Sequence, residues 1–441
     1  MMDGWIILIW KVIFMQINES KEKLFLDNYI FSFCICFFLL ILNFIGFTVN
    51  LNPIILIILG IYNVFCIYKK EKLILCPLSV FSIIWFIIIS ICSYSYPLMR
   101  AVNMFEWNKL LLFYVCFTLG GILNFFVKNP KVKNKRNLNV LAKSFNILVL
   151  ILSIFSLIML YVNYGGIPLF AKDANISKNL FRSAHIWSFI SYFGSISIIV
   201  SFINDNNIIK NKKFDFFVMI YFILLVLSAE RFYVIITILM LALIFCKEKI
   251  DKRLLKYFLV AFFVILSVFV YILGFRGNAS QKQMYFINTG IYNGNVDDLV
   301  KTEIVRYFGM QERVISLTYD NITPGYTKGT LTLSPILKLF GKKAIEIPDV
   351  QIYGYTSKSI ITKLYCDFGI VWGIFAIILS FIVNFSYKNF SRNSTISRQY
   401  FFALMMVTLI FSFYAYIDNF IIFYLHFPIY LLVIKFLNSI K

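Results

Sequence analysis

Between Ser144 and Tyr164 the chain runs for 21 residues without one charged side chain. Such a stretch is long enough to cross the hydrocarbon of a bilayer, which takes roughly 20 residues of helix. Further strongly apolar runs cover Tyr29–Val49, Ile54–Tyr68, Pro77–Tyr96, Leu110–Val127, His185–Ile203, Phe214–Ala229, Phe232–Cys246, Tyr257–Gly274, Ile360–Tyr387, Phe401–Tyr416 and Phe420–Leu437. None shows the alternation of a barrel strand, and backbone groups in lipid must be satisfied within their own segment, so helix is the expected form. With 60% hydrophobic and 14% charged residues, a soluble domain is excluded. The expectation is an all-α polytopic membrane protein with about twelve transmembrane helices.

A net charge of +21 would suit a nucleic-acid partner if it lay on one surface. It does not. The basic residues gather in short loops between apolar runs: Lys69, Lys70 and Lys72; Lys131, Lys133, Lys135 and Arg136; Lys210, Lys212 and Lys213; and Lys247 to Lys256. That distribution orients a membrane protein with its basic loops in the cytoplasm, so no nucleic-acid role is expected. The alternation then puts the C-terminus inside and one large loop, Phe275–Tyr355, outside. The chain divides accordingly into a transmembrane part (1–274), the extracytoplasmic loop (275–355) and a second transmembrane part (356–441). At the N-terminus, Trp5–Ile17 is apolar but short, contains Lys11 and lacks a small-residue cleavage site, which reads as an interfacial helix rather than a signal peptide. Met15 is an alternative start.

The eight cysteines lie in or beside apolar runs and none falls within the loop, so no disulfide framework is expected there. With only His185 and His426 present, no histidine-rich metal site is expected either, and no cofactor.

Topology makes certain charges informative. Arg231 and Arg276 both fall on the outer side, against the charge bias, each at the end of an apolar run. One reading is that each snorkels to the headgroups. The other is functional, since ionisable groups at a membrane edge commonly serve substrate or ion. Two guanidinium forks at one depth suit a pyrophosphate, which they can grip bidentately.

Three motifs place these arginines in a pattern: Ser228-Ala229-Glu230-Arg231 at the turn of a hairpin, Gly274-Phe275-Arg276-Gly277 opening the loop, and Leu364-Tyr365-Cys366-Asp367-Phe368-Gly369 with Gly373 at its exit. Together they resemble the Wzy-type O-antigen and capsular oligosaccharide repeat-unit polymerases, relatives of the O-antigen ligases, over Phe214 to Phe385. The resemblance implies a GT-C-like helical bundle in the bacterial cytoplasmic membrane. It also implies a glycosyltransferase that uses undecaprenyl-diphosphate-linked oligosaccharides without a metal. In that family the paired membrane-edge arginines, matched here by Arg231 and Arg276, hold the diphosphate, and a flippase and a chain-length regulator are the implied partners. Ligases carry a histidine before the last motif; here the region reads Thr356-Ser357-Lys358-Ser359, which favours polymerase over ligase. A lipid-linked oligosaccharide flippase is the non-enzymatic alternative, but it would show repeated halves, and none is found.

Sugar transfer from a diphosphate needs cations for the leaving group and a base for the acceptor hydroxyl. Glu230, Asp320 and Asp367 are the candidate acids. Glu230 has the alternative role of orienting Arg231, Asp320 of starting the turn before Pro324, and Asp367 of capping a helix or pairing with a cation. Arg306 and Arg313, seven apart, would share a helix face and could hold a second diphosphate or acidic sugars, or form a solvated face. Tyr326 and Tyr365 could stack on sugar rings, as could Tyr307, Tyr319, Tyr353 and Tyr355, although tyrosine at a membrane interface is common anyway.

Overall fold

A computed structural model describes residues 22–46, 51–71, 75–95, 104–127, 138–171, 180–182, 185–205, 212–228, 230–246, 314–315, 318–348, 358–390, 394–413, 415 and 420–440. Among them the regular structure is helical, with no strand. Six helices are long and apolar enough to cross a membrane: Leu24–Phe44, Asn52–Lys69, Trp107–Phe125, Val140–Tyr164, Ile186–Asn204 and Ile360–Asn389. Shorter apolar helices cover Pro77–Cys92, Phe214–Leu227, Phe232–Phe245, Ile396–Ile410 and Phe423–Ser439. The chain is a helical membrane protein. The expected span Tyr257–Gly274 and the N-terminal segment Trp5–Ile17 lie outside the described residues.

The chain forms two compact units, each discontinuous in sequence. Unit 1 comprises Met1–Pro130, Phe308–Lys328 and Ile347–Lys388. Its helices are α1 (Glu22–Phe44), α2 (Asn52–Glu71), α3 (77–95), α4 (Met104–Phe125), α11 (Ile360–Phe368) and α12 (Trp372–Asn389). Helix α1 starts before its apolar run and stops at Phe44, where the Asn43 and Asn52 amides exchange hydrogen bonds of 3.0 and 2.9 Å and close the turn into α2. Helix α4 packs against α1, and its Gly120-Gly121 pair is what lets neighbours approach. A Cβ on Gly120 would lie 2.4 Å from the Ile377 carbonyl oxygen of α12, and one on Gly121 would lie 2.2 Å from the Tyr29 ring of α1. Small residues serve the same purpose at many membrane helix crossings. Polar side chains then tie the crossing: Tyr29 Oη donates to Asn384 Oδ1 at 2.6 Å, and Ser380 Oγ donates to the Phe117 carbonyl at 2.5 Å. Around them Phe81, Trp85, Phe86, Phe113, Tyr114 and Phe117 form an aromatic core, with Phe81 stacked on Phe117 at 3.8 Å. Helix α3 contains a π turn, Ser82–Ile88, and Asn63 of α2 donates to Ser82 Oγ at its start (3.1 Å).

The apolar run Ile360–Tyr387, expected as one span, falls within one candidate span, Ile360–Asn389, whose helix has a local break at Gly369, where φ is +59° and ψ −131°. A 3-10 turn, Gly369–Val371, joins α11 to α12. Ser359 caps α11 by accepting from the Thr362 amide.

Unit 2 comprises Lys131–Tyr307, Gly329–Glu346 and Asn389–Lys441. It holds α5 (Val140–Tyr164), α6 (His185–Ser191), α7 (Phe193–Asp205), α8 (Lys212–Leu227), α9 (Arg231–Cys246), α10 (Ser334–Leu339), α13 (Ile396–Ile410) and α14 (Ile421–Ser439). Leu150, Leu157, Leu160, Tyr221, Leu225 and Val234 lie in its core, where α5 meets α7 and α8. The run His185–Ile203, expected as one span, is one candidate span, Ile186–Asn204, with a local break at Tyr192 inside it. The Tyr221 hydroxyl satisfies the freed backbone there, accepting from the Ser195 amide at 3.1 Å and donating to the Ser191 carbonyl at 2.9 Å. A break inside a membrane helix is tolerated when a neighbour supplies such bonds. His426 of α14 packs among Phe189, Phe193 and Tyr192, with Nε2 3.2 Å from the Phe189 carbonyl oxygen.

Candidate functional site

Two clusters contain the residues singled out from sequence, one in each unit. In unit 2 the cluster forms at the end of the α8–α9 hairpin. Leu227 ends α8 and Arg231 begins α9, so only residues 228–230 connect them. The end of α8 is tied to α5 by Tyr161 Oη, which donates to the Leu224 carbonyl at 2.6 Å. The Glu230 amide donates back to the Leu225 carbonyl at 3.3 Å. Glu230 itself is 1% exposed. Its carboxylate is gripped by Arg182, whose Nε donates to Oε1 at 2.6 Å while Nη2 donates to Oε2. Arg182 Nη1 reaches Ser191 Oγ at 2.6 Å, and Tyr192 Oη adds a bond to Glu230 Oε1 at 3.1 Å. The guanidinium lies 4.4 Å from the Tyr192 ring centre. Burial works against its charge, but the Glu230 carboxylate, with Tyr192, outweighs it and holds the guanidinium above its ordinary range.

Arg182 was visible in the sequence only as the end of a polar loop. It lies on the same side of the loop alternation as Arg231, beside an apolar run, and that signal could have marked it. Arg276, Arg306 and Arg313 lie outside the described residues.

In unit 1 the cluster forms where residues 318–328 lie against the end of α11. Two backbone bonds join them: Gly325 amide to Tyr365 carbonyl (3.2 Å) and Thr327 amide to Cys366 carbonyl (2.9 Å). Gly369 admits the contact, since a Cβ there would meet the Gly325 nitrogen and Pro324 at 3.2 Å. Asp367 is buried and accepts from Thr327 Oγ1 at 2.6 Å. The Tyr365 ring is stacked under Tyr319 at 3.6 Å, and Lys109 Nζ of α4 sits 3.4 Å from the Tyr319 ring centre. Burial pushes the Tyr319 phenol above its ordinary range, with Tyr365 and Cys366 adding to the shift. Asp320 is exposed beside this column, in the helical turn that runs into Thr323 and Pro324. Tyr326 is 40% exposed.

The structure thus brings Asp320, Tyr326, Tyr365 and Asp367 into one cluster and sets Glu230 in another. Tyr365 is buried with one ring face covered by Tyr319, whereas Tyr326 is exposed. Lys109 and Tyr319 complete the column; Lys109 reads in the sequence as the polar edge of a span. Comparison with family models, with curated proteins and with solved structures gave no match.

Proposed function

We propose that the chain is a membrane glycosyltransferase that polymerises undecaprenyl-diphosphate-linked oligosaccharide repeat units, as do the Wzy-type polymerases it resembles. One observation carries the reading: α9 begins on Arg231, immediately after a carboxylate buried at the end of a hairpin. The N-terminal end of a helix carries partial positive charge, and a guanidinium at that end adds a bidentate donor, so a diphosphate is the natural guest. On this reading the bundle comprises about twelve spans in a GT-C-like arrangement in the bacterial cytoplasmic membrane, and 275–355 is the extracytoplasmic loop. An acceptor sugar hydroxyl attacks C1 of the donor sugar, the bond from C1 to the diphosphate breaks, and undecaprenyl diphosphate departs. Arg231 and Arg276 neutralise the charge that develops on it. The hydroxyl proton passes to a carboxylate base.

Deleting the gene should leave cells with single lipid-linked repeat units instead of long chains. In the complemented strain Arg231→Lys and Arg276→Lys should each remove detectable polymer while inserting normally, since losing one preorganised donor costs about 10²–10³ in turnover. Lysine keeps the charge but lacks the planar fork. Full-length polymer from stably expressed Arg231→Ala protein would overturn the assignment.

A further inference from the structure

Glu230 stands next to the arginine assigned to the diphosphate, which makes it an obvious candidate for the base. Its surroundings argue otherwise. A carboxylate works as a base by presenting a lone pair to the acceptor hydroxyl within hydrogen-bond reach. Here Oε1 receives Arg182 Nε and the Tyr192 hydroxyl, and Oε2 receives Arg182 Nη2. Three of the carboxylate's lone pairs are thus taken by its own neighbours, and drawing it away to an acceptor would leave a buried guanidinium short of its counter-charge, which is costly away from water.

The same contacts fix a position. Phe181 is buried between Tyr161 and Tyr164 at the last turns of α5, with ring centres 4.8 and 6.0 Å away. That anchor delivers Arg182 to the hairpin end. Arg182 is 11% exposed and bridges Glu230 to Ser191, the last residue of α6. Glu230 is consequently held through its side chain by Arg182 and Tyr192 and through its amide by Leu225. The first residue of α9 follows it directly.

We propose that Arg182 is a positioning residue for the phosphate-binding end of α9: with Tyr192 it holds the Glu230 carboxylate in place and so sets where Arg231 begins the helix. This rests on the reading of Arg231 as a diphosphate ligand, and it reassigns Glu230 from proton acceptor to brace. The pair cancels its own charge, so the anion-attracting charge of the hairpin end is that of Arg231.

The test uses the full-length chain carrying Arg182→Gln, Glu230→Gln or both. Polymer length is read in the deletion strain and the thermal midpoint on detergent-purified protein. Each single change should lower the midpoint and cut polymer formation by about 10²-fold, the usual penalty when a reacting group moves by about 1 Å. The double change buries two amides and no charge, and both readouts should return most of the way to wild type. A double variant that melts like wild type yet stays as inactive as Glu230→Gln would show that Glu230 is itself the working group, and the proposal fails. A third readout places the helix end without relying on polymer. Arg231→Cys is introduced into each background, and an impermeant maleimide is scored on the peptide carrying residue 231 by mass spectrometry. Its rate should change with either single substitution and recover in the double. An unchanged rate in folded Arg182→Gln protein refutes the positioning role. Failure of the polymerase reading would show instead as unaltered glycan in the deletion strain, with the melting and labelling cycle still deciding the role of Arg182.

Discussion

Gly369→Ala tests the contact on which the unit 1 cluster depends. The residue sits at φ +59° and ψ −131°, a conformation that side chains with a Cβ avoid. Holding an alanine there costs about 1–3 kcal/mol in backbone strain. The new methyl would also meet the Gly325 nitrogen and Pro324 at 3.2 Å, and those atoms are backbone and ring rather than a flexible side chain. They must retreat by a few tenths of an ångström. That motion loosens the bonds from the Gly325 and Thr327 amides to the Tyr365 and Cys366 carbonyls, and losing one of them costs a further ~0.5–1.5 kcal/mol. The expected total is roughly 2–4 kcal/mol. Gly325→Ala is the internal control. It also has positive φ, +74°, but a Cβ there would find its nearest neighbour at 3.8 Å, so only the backbone term applies, about 1–2 kcal/mol. Thermal unfolding of the purified chain in detergent reads both, at about 2–4 °C per kcal/mol for a block of 150–250 residues. The midpoint should fall clearly further for Gly369→Ala than for Gly325→Ala. Equal shifts, or a larger one at Gly325, would refute the claim that residues 324 and 325 are seated directly on Gly369.

Two further substitutions probe polar contacts by the same measurement. Thr327→Val leaves an Asp367 carboxylate oxygen without its 2.6 Å donor and should cost about 1–3 kcal/mol, whereas Thr327→Ser keeps the hydroxyl and should melt near wild type; a serine variant that loses as much as the valine one would refute the claim that the hydroxyl bond carries the contact. Tyr221→Phe removes the hydroxyl that serves both Ser195 and Ser191 at the break between α6 and α7. A fall of about 1–3 kcal/mol is expected, together with faster amide exchange around Tyr192, and unchanged exchange there would mean the break is held by other contacts.

The sequence by itself determined that this is a helical membrane protein and, within two turns, where the described apolar helices lie. Hydrophobic run length is a local property: a run such as Val140–Tyr164 has no other way to satisfy its backbone in lipid. It could not reveal the breaks at Tyr192 and Gly369, because the runs on either side of each are joined by too few polar residues to mark a helix end. The first break is held by Tyr221 on a different helix, and the second is shaped by the turn of Pro324 and Gly325 laid against it. The candidate site divides in the same way. Glu230 stood out from sequence as a charge between two apolar runs and Asp367 as a charge within one, but their partners did not. Arg182 lies 48 residues from Glu230, and Thr327 lies 40 from Asp367. Which cation meets which carboxylate depends on which helix ends come together, and that is decided by packing: Phe181 fitting between Tyr161 and Tyr164, and Tyr319 stacking on Tyr365 beneath Lys109. A buried charge must find a partner, and only the tertiary structure supplies it within reach.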